Sequence, residues 1–167
     1  MANSKGKRGE YQVRDLLTAW WRRFEPDASF VRTPLSGGWH ASGEFDVAGD
    51  LLTTSSRFPF SVEVKWREAW ALKNVLEGRP SPVWGWWQQC VRDAEKTNRV
   101  PMLFFKRSRG PWMILLPQTF EVPIEPDVVW SGTCMWTFHK FEKCWPRLFL
   151  AKRFLETDPS LFARGDA

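Results

Sequence analysis

The sequence predicts an α/β fold in which a mixed central β-sheet is flanked by helices, and three observations carry that expectation. An apolar stripe at helical spacing opens the chain. Two segments in its first half alternate polar and apolar residues as strands do, and an amphipathic helix followed by two apolar runs comes after them. The implied order is helix, three strands, helix, two strands.

Val13, Leu16, Leu17, Trp20 and Phe24 recur at helical spacing, so a first helix is expected over about 7–24, with Pro26 ending it. Residues 30–34 read as a short strand. The stretch 35–43, Leu-Ser-Gly-Gly-Trp-His-Ala-Ser-Gly, is too rich in glycine and serine for regular structure and is expected to be a mobile loop. Glu44-Phe45-Asp46-Val47 alternates, and Phe60-Ser61-Val62-Glu63-Val64-Lys65-Trp66 alternates over a longer run, with 51–59 as the turn between them. That period puts Asp46 on the polar face of one strand and Glu63 with Lys65 on the polar face of the other. Val83, Trp87, Cys90, Val91 and Ala94 mark a second helix over about 82–96. Residues 100–105 and 112–116 read as a hairpin joined through Arg-Ser-Arg-Gly-Pro. Beyond Pro117 the pattern weakens to a short strand over 134–138, a helix over 141–155 and a flexible tail over 158–167.

The chain of 167 residues is read as one domain, with a core over about 4–117 and a C-terminal extension over about 118–157. Its 24 lysines and arginines against 19 acidic residues give a net charge of +5, which favours a polyanionic partner without establishing one. No run approaches the roughly 18 apolar residues of a membrane span and no leader pattern opens the chain, so a cytoplasmic location is expected, in the host if the source is viral. Three cysteines, Cys90, Cys134 and Cys144, have no CxxC spacing and read as reduced thiols. Cys134, His139 and Cys144 could be imagined around zinc, but packed side chains explain them better. Twelve tryptophans are more cheaply explained by core or interface packing than by base stacking.

The chemistry is concentrated in a few carboxylates. Phosphodiester hydrolysis needs a nucleophilic water and neutralisation of charge developing on phosphorus, and clustered carboxylates meet that need by holding hard divalent cations. Asp46 and Glu63 are the candidate ligands, with the Val64 carbonyl as a further oxygen, and magnesium or manganese as the expected cation. Lys65, on the face of Glu63, is placed to orient the attacking water. Glu10 lies along the edge of the first helix's apolar stripe, where a carboxylate is costly unless paired or metal-bound; an ion pair with Lys65 or Arg14 is the plain alternative. Lys5, Lys7 and Arg8 stand at or just before the helix's positive end, where cations are mildly unfavourable, so they read either as serving an outside phosphate or as a solvated basic N-terminus. His40 reads as a surface or DNA-contacting residue, and Arg107 and Arg109 as turn residues able to grip a backbone.

The set Lys5-Gly6 with Glu10, then Arg32, then Ser36 with Gly37, then Asp46, then Glu63-Val64-Lys65 resembles the PD-(D/E)XK nucleases, and within them the archaeal Hjc-like and bacteriophage Holliday-junction resolvases. The resemblance spans about residues 4–117 and includes 86–96 and 101–106, which look like the second half of viral members. It implies a restriction-endonuclease-like αβββαβ core. It also implies metal binding by Glu10, Asp46 and Glu63, catalysis by Lys65, DNA contacts from Lys5 and Arg32, and a serine near the scissile phosphate at Ser36, with Ser42 as competitor. A glutamine on the second helix is implied at Gln89, which helical geometry alone does not separate from Gln88. Phe45 stands where the family name has proline, and the 51–59 turn is longer than in compact members. The activity implied is metal-dependent cutting of four-way junctions; nucleases of flaps, ends or single strands, or a silent DNA-binding module, are the alternatives. Two symmetry-related cuts imply a homodimer, with the hairpin and the 130–145 region as candidate contacts.

Overall fold

In the computed structural model, which describes residues 2–33, 49–130 and 145–165, the chain opens with α1 (Ala2–Trp21). Val13, Leu17, Trp20 and Trp21 are buried along its inner face. The helix ends before Phe24 because the Arg23 and Phe24 amides reach back only three residues, to the carbonyls of Trp20 and Trp21. β1 (Phe30–Arg32) and β2 (Leu51–Thr53) then pair antiparallel, Val31 opposite Leu52. β2 corrects the expectation of a turn over 51–59. All three of its residues are buried, so the segment has no polar–apolar alternation to reveal it. The strand expected at 44–47 lies outside the described residues.

β3 (Phe60–Trp66) occupies the alternating segment, and a short α2 (Leu72–Leu76), not foreseen, follows it. α3 (Pro82–Lys96) has the predicted bounds: the Ser81 hydroxyl accepts from the Val83 amide, and Pro82 begins the helix where its missing N–H costs nothing. β4 (Val100–Lys106) and β5 (Met113–Pro117) form the predicted hairpin. β6 (Val128–Val129), β7 (Pro146–Leu150), α4 (Ala151–Leu155) and a 3-10 turn (Pro159–Phe162) complete the described chain. The helix expected over 141–155 is thus a strand followed by a short helix, since β7 is held on both sides by β5 and β6. The expected tail instead returns to the core through Phe162, which is buried against Trp20, Phe60 and Phe154.

The five-stranded sheet runs β3-β4-β5-β7-β6, with β3 and β4 parallel and every other pair antiparallel, so the sheet is mixed as expected. Alternation splits its side chains between two apolar layers. Val62, Val64, Met102 and Phe104 pack toward α1 and α4, whereas Leu103, Phe105 and Leu115 pack toward α3. Trp20, Trp21, Trp66, Trp70, Trp84, Trp87 and Trp130 are all buried, which is the packing role expected of most tryptophans. No described helix is long and apolar enough to cross a membrane.

β3 is the edge strand of this sheet, and Gly49 makes an isolated bridge to Val62 on its open side. Gly49 has φ +80°, and a Cβ there would lie 2.2 Å from the Val62 carbonyl oxygen. Gly49→Ala should therefore cost at least about 2 kcal/mol of unfolding free energy, through both the clash and the left-handed backbone. Urea denaturation checks this, and an unchanged midpoint would show that the close approach is dispensable.

Candidate active site

The open edge of β3 is completed by a side chain. The Asp50 amide donates to the Val62 carbonyl at 2.8 Å, and the Asp50 carboxylate accepts from the Val64 amide at 2.8 Å. Asp50 thus stands where the next strand would run. The N–H and C=O of one strand residue point the same way, so the Val64 carbonyl also faces the Asp50 side.

Glu63 and Lys65 project from β3 on the face turned to α3, in register with Leu103 and Phe105. Glu63 is only 3% exposed and takes a charge-assisted hydrogen bond from the Lys65 ammonium. This is no solvent-facing pair. Glu10, carried by α1, is paired with the Arg32 guanidinium from β1, and both side chains are largely buried. Arg14 instead turns to Asp15 at 2.6 Å, so neither partner considered from the sequence for Glu10 is the one found.

Burial pushes the Asp50 carboxyl up from its ordinary 3.8 to about 7; the negative charge of Glu63 adds to the rise, while the Val64 amide and Lys65 oppose it. Burial likewise raises Glu63, with Lys65 pulling it back and the charges of Asp93 and Glu10 adding to the rise. Glu10, Asp50, Glu63 and Asp93 therefore share one field at this edge. Asp93 lies on α3, one turn after Gln89 and on the same flank, so the pull of Asp93 on Glu63 puts the Gln89 flank toward the site; Gln88 lies on the opposite flank with Trp84 and Val91. Cys90, between them, is fully buried, and burial holds its thiol well above the usual range.

At the start of α1, Lys5, Lys7 and Arg8 are exposed. Asp46, Ser36, Ser42, His40, Cys134, His139 and Cys144 lie outside the described residues. Among the described residues the carboxylate placed against Glu63 is Asp50, which lies outside any alternating strand pattern in the sequence. The available signal was Gly49-Asp50 directly before the apolar Leu51-Leu52: a tight turn delivering an acid to the mouth of a buried strand.

Residues 1–131 match the family described as "Phage putative PDDEXK endonuclease". The chain belongs to this family. Protein D14 of Escherichia phage T5 is 37% identical over 121 residues, covering 69% of this chain and 70% of that protein. No solved structure matched. PD-(D/E)XK endonucleases use divalent metals, and the residues here suit one: the buried Glu63 and the half-buried Asp50, which repel each other beside a backbone carbonyl, form a hard-oxygen set that a cation would relieve. Among the described residues no three acidic, histidine or cysteine side chains are grouped closely enough to hold an ion as they stand, because Glu63 is turned onto Lys65 and Glu10 onto Arg32.

For this PD-(D/E)XK protein the raised Asp50 value sets a pH dependence in chelator. Its folded pKa lies above its unfolded value, so the stability it contributes is fully present below about pH 4 and is lost as pH rises through about 7. The urea midpoint in excess chelator should fall across that window, and Asp50→Asn should flatten the fall. An equal fall in the variant would assign the effect to another group.

Proposed function

We propose that this chain is a metal-dependent endodeoxyribonuclease that cuts four-way DNA junctions, acting through Asp50, Glu63 and Lys65 with Glu10 in support. The observation that carries the reading is the carboxylate couple at the open edge of β3, the buried Glu63 and the half-buried Asp50, with a lysine bonded to Glu63. A pure binding module has no use for buried carboxylates facing an anionic ligand.

Asp50, Glu63 and the Val64 carbonyl would hold magnesium or manganese, which when bound supplies charge neutralisation at the scissile phosphate. With Glu63 holding the cation, the Lys65 ammonium would be available to donate to the attacking water or a phosphate oxygen. Arg32 pairs with Glu10 and directs it at the same edge; the guanidinium nitrogens not bonded to Glu10 serve the neighbouring phosphate. Gln89, on the Asp93 flank of α3, is preferred to Gln88 as the amide that joins the site. Ser36 near the phosphate, and Lys5, Lys7 and Arg8 along the backbone, complete the proposal.

Selectivity for branched DNA is proposed from resemblance and from recognition by phosphate position. The paired cuts it requires imply a two-fold homodimer. Trp130 is committed to the core, its indole N–H donating to the Val75 carbonyl, and residues 131–144 of the candidate contact region lie outside the described residues; the hairpin remains the other candidate contact.

Asp50→Asn and Glu63→Gln should each abolish strand cutting, by at least about 1,000-fold, while leaving DNA binding intact. Asp46→Asn, assayed beside them, decides between the two aspartates: loss at Asp46 with retention at Asp50 would replace the ligand assigned here. The assay compares a synthetic four-way junction with linear duplex, flap and single-stranded substrates. Preference for flaps or ends would move the chain to a sister specificity, and undiminished cutting in excess chelator would remove the metal mechanism.

Mixed dimers of one wild-type and one Glu63→Gln chain should nick one strand of a junction and seldom release paired products. Efficient paired cuts by a monomer would defeat the dimer.

A further inference from the structure

On the opposite face of β3 from Glu63 and Lys65, a second group of charges gathers around Trp66. The Lys106 ammonium lies 4.1 Å from the Trp66 ring centroid and 4.8 Å from that of Trp112, and the Arg8 guanidinium lies over the same Trp66 ring at 5.7 Å. Arg67 follows directly, its guanidinium donating to the Trp66 carbonyl at 3.4 Å and reaching to within 3.8 Å of where a Gly6 side chain would begin. The polar contact of Lys106 is to a neutral acceptor, the Gln12 side-chain oxygen at 3.3 Å.

Holding like charges together over one ring is unfavourable unless something negative joins them. Among the described residues no carboxylate pairs with Arg8, Arg67, Lys106, Arg107 or Arg109. Burial and the nearby charge of Arg8 both pull the Lys106 pKa down, as expected of a cation lacking its counter-charge. The nearest acid, Glu68, is already committed. It accepts from the Ser108 hydroxyl and amide and from Lys5 at 3.2 Å, and these bonds hold its pKa down. Glu68 thereby pins the β4–β5 tip against the start of α1, and Arg107 and Arg109 flank Ser108, whose hydroxyl accepts from the Trp66 indole N–H at 3.2 Å.

We infer that Arg67 and Lys106, with Arg8, form a phosphate clamp around Trp66 that holds the backbone of the DNA arm flanking the cut, and that the pinned tip extends it through Arg107 and Arg109. This rests on the nuclease reading for the identity of the polyanion. The clamp is separate from the carboxylate edge, since alternation along β3 turns Trp66 away from Lys65. Phosphate, rather than base, is the expected contact, because point charges spaced along a surface carry no donor–acceptor code.

The test is made in the Glu63→Gln protein, using a short fluorescently labelled DNA duplex titrated over a series of salt concentrations. Arg67→Gln with Lys106→Gln should lower the slope of log affinity against log salt by roughly 2, about 0.9 for each phosphate no longer neutralised. Lys73→Gln with Lys152→Gln, the same charge change at exposed lysines elsewhere, should leave the slope unchanged. If thermal melting shows that Lys106→Gln disturbs the fold, Arg67→Gln with Arg109→Gln, both exposed, carries the same expectation. An unchanged slope in these variants, or an equal drop in the control pair, overturns the clamp while the nuclease reading stands. A Glu63→Gln protein that binds no DNA at low salt overturns both.

Discussion

The hydrogen bond from the Val64 amide to the Asp50 carboxylate is the contact on which the site depends. A sheet edge normally ends in backbone groups left to solvent or covered by another strand. Here the chain supplies one turn, Gly49-Asp50, that uses its backbone at Val62 and its side chain at Val64. The acid is thereby fixed to the strand that bears Glu63 and Lys65, and the Val64 carbonyl is aimed into the space between them. Only glycine can precede Asp50, because a Cβ would enter the Val62 carbonyl.

That arrangement is electrostatically expensive. Asp50 and Glu63 are both withdrawn from water and near each other, and one lysine with one hydrogen-bonded arginine offsets three carboxylates only in part. The strain falls on the protonation equilibrium: a carboxyl raised to about 7 is half-neutral near physiological pH. A group that prefers its proton at neutrality exchanges it readily for a cation. The same imbalance that would destabilise an ordinary core therefore makes this edge ready for a divalent ion.

The parts of the fold that were legible in the sequence are those whose residue types keep a period or form an apolar run bounded by turn residues. β3 and α3 announced themselves through alternation and an apolar stripe, and their bounds held. β2 and β7 did not. β2 is three residues long, too short to establish a period, and β7 runs straight on into the helical Ala151–Leu155, which hides the change of period between them. Glu63 and Lys65 were legible as neighbours because both lie on β3. Asp50 was not, because it belongs to a turn, where position is set by a glycine's backbone and a single side-chain hydrogen bond rather than by any repeat. Arg32 as the partner of Glu10 was equally hidden, since the pair joins a helix to a strand twenty-two residues away.

α1 ties the two faces of β3 into one surface. At Gly9 the helix comes so close that an added Cβ would meet Trp112, Trp66 and Val64 at about 3.4–3.5 Å. Crossing there, it delivers Glu10 to the carboxylate edge and Arg8 to the Trp66 group, although only Gly9 separates the two residues in sequence. Successive helical side chains turn by about 100°, so residues two apart point in nearly opposite directions, and one element serves two regions this way only if it crosses their boundary. The boundary is the end of β3, where Lys65 faces one way and Trp66 the other. A DNA backbone laid across that end would meet the cutting groups and the unpaired cations in succession. The distance between them would be set by a helix and a strand rather than by loops, and rigid spacing of this kind lets phosphate position stand in for base sequence in recognition.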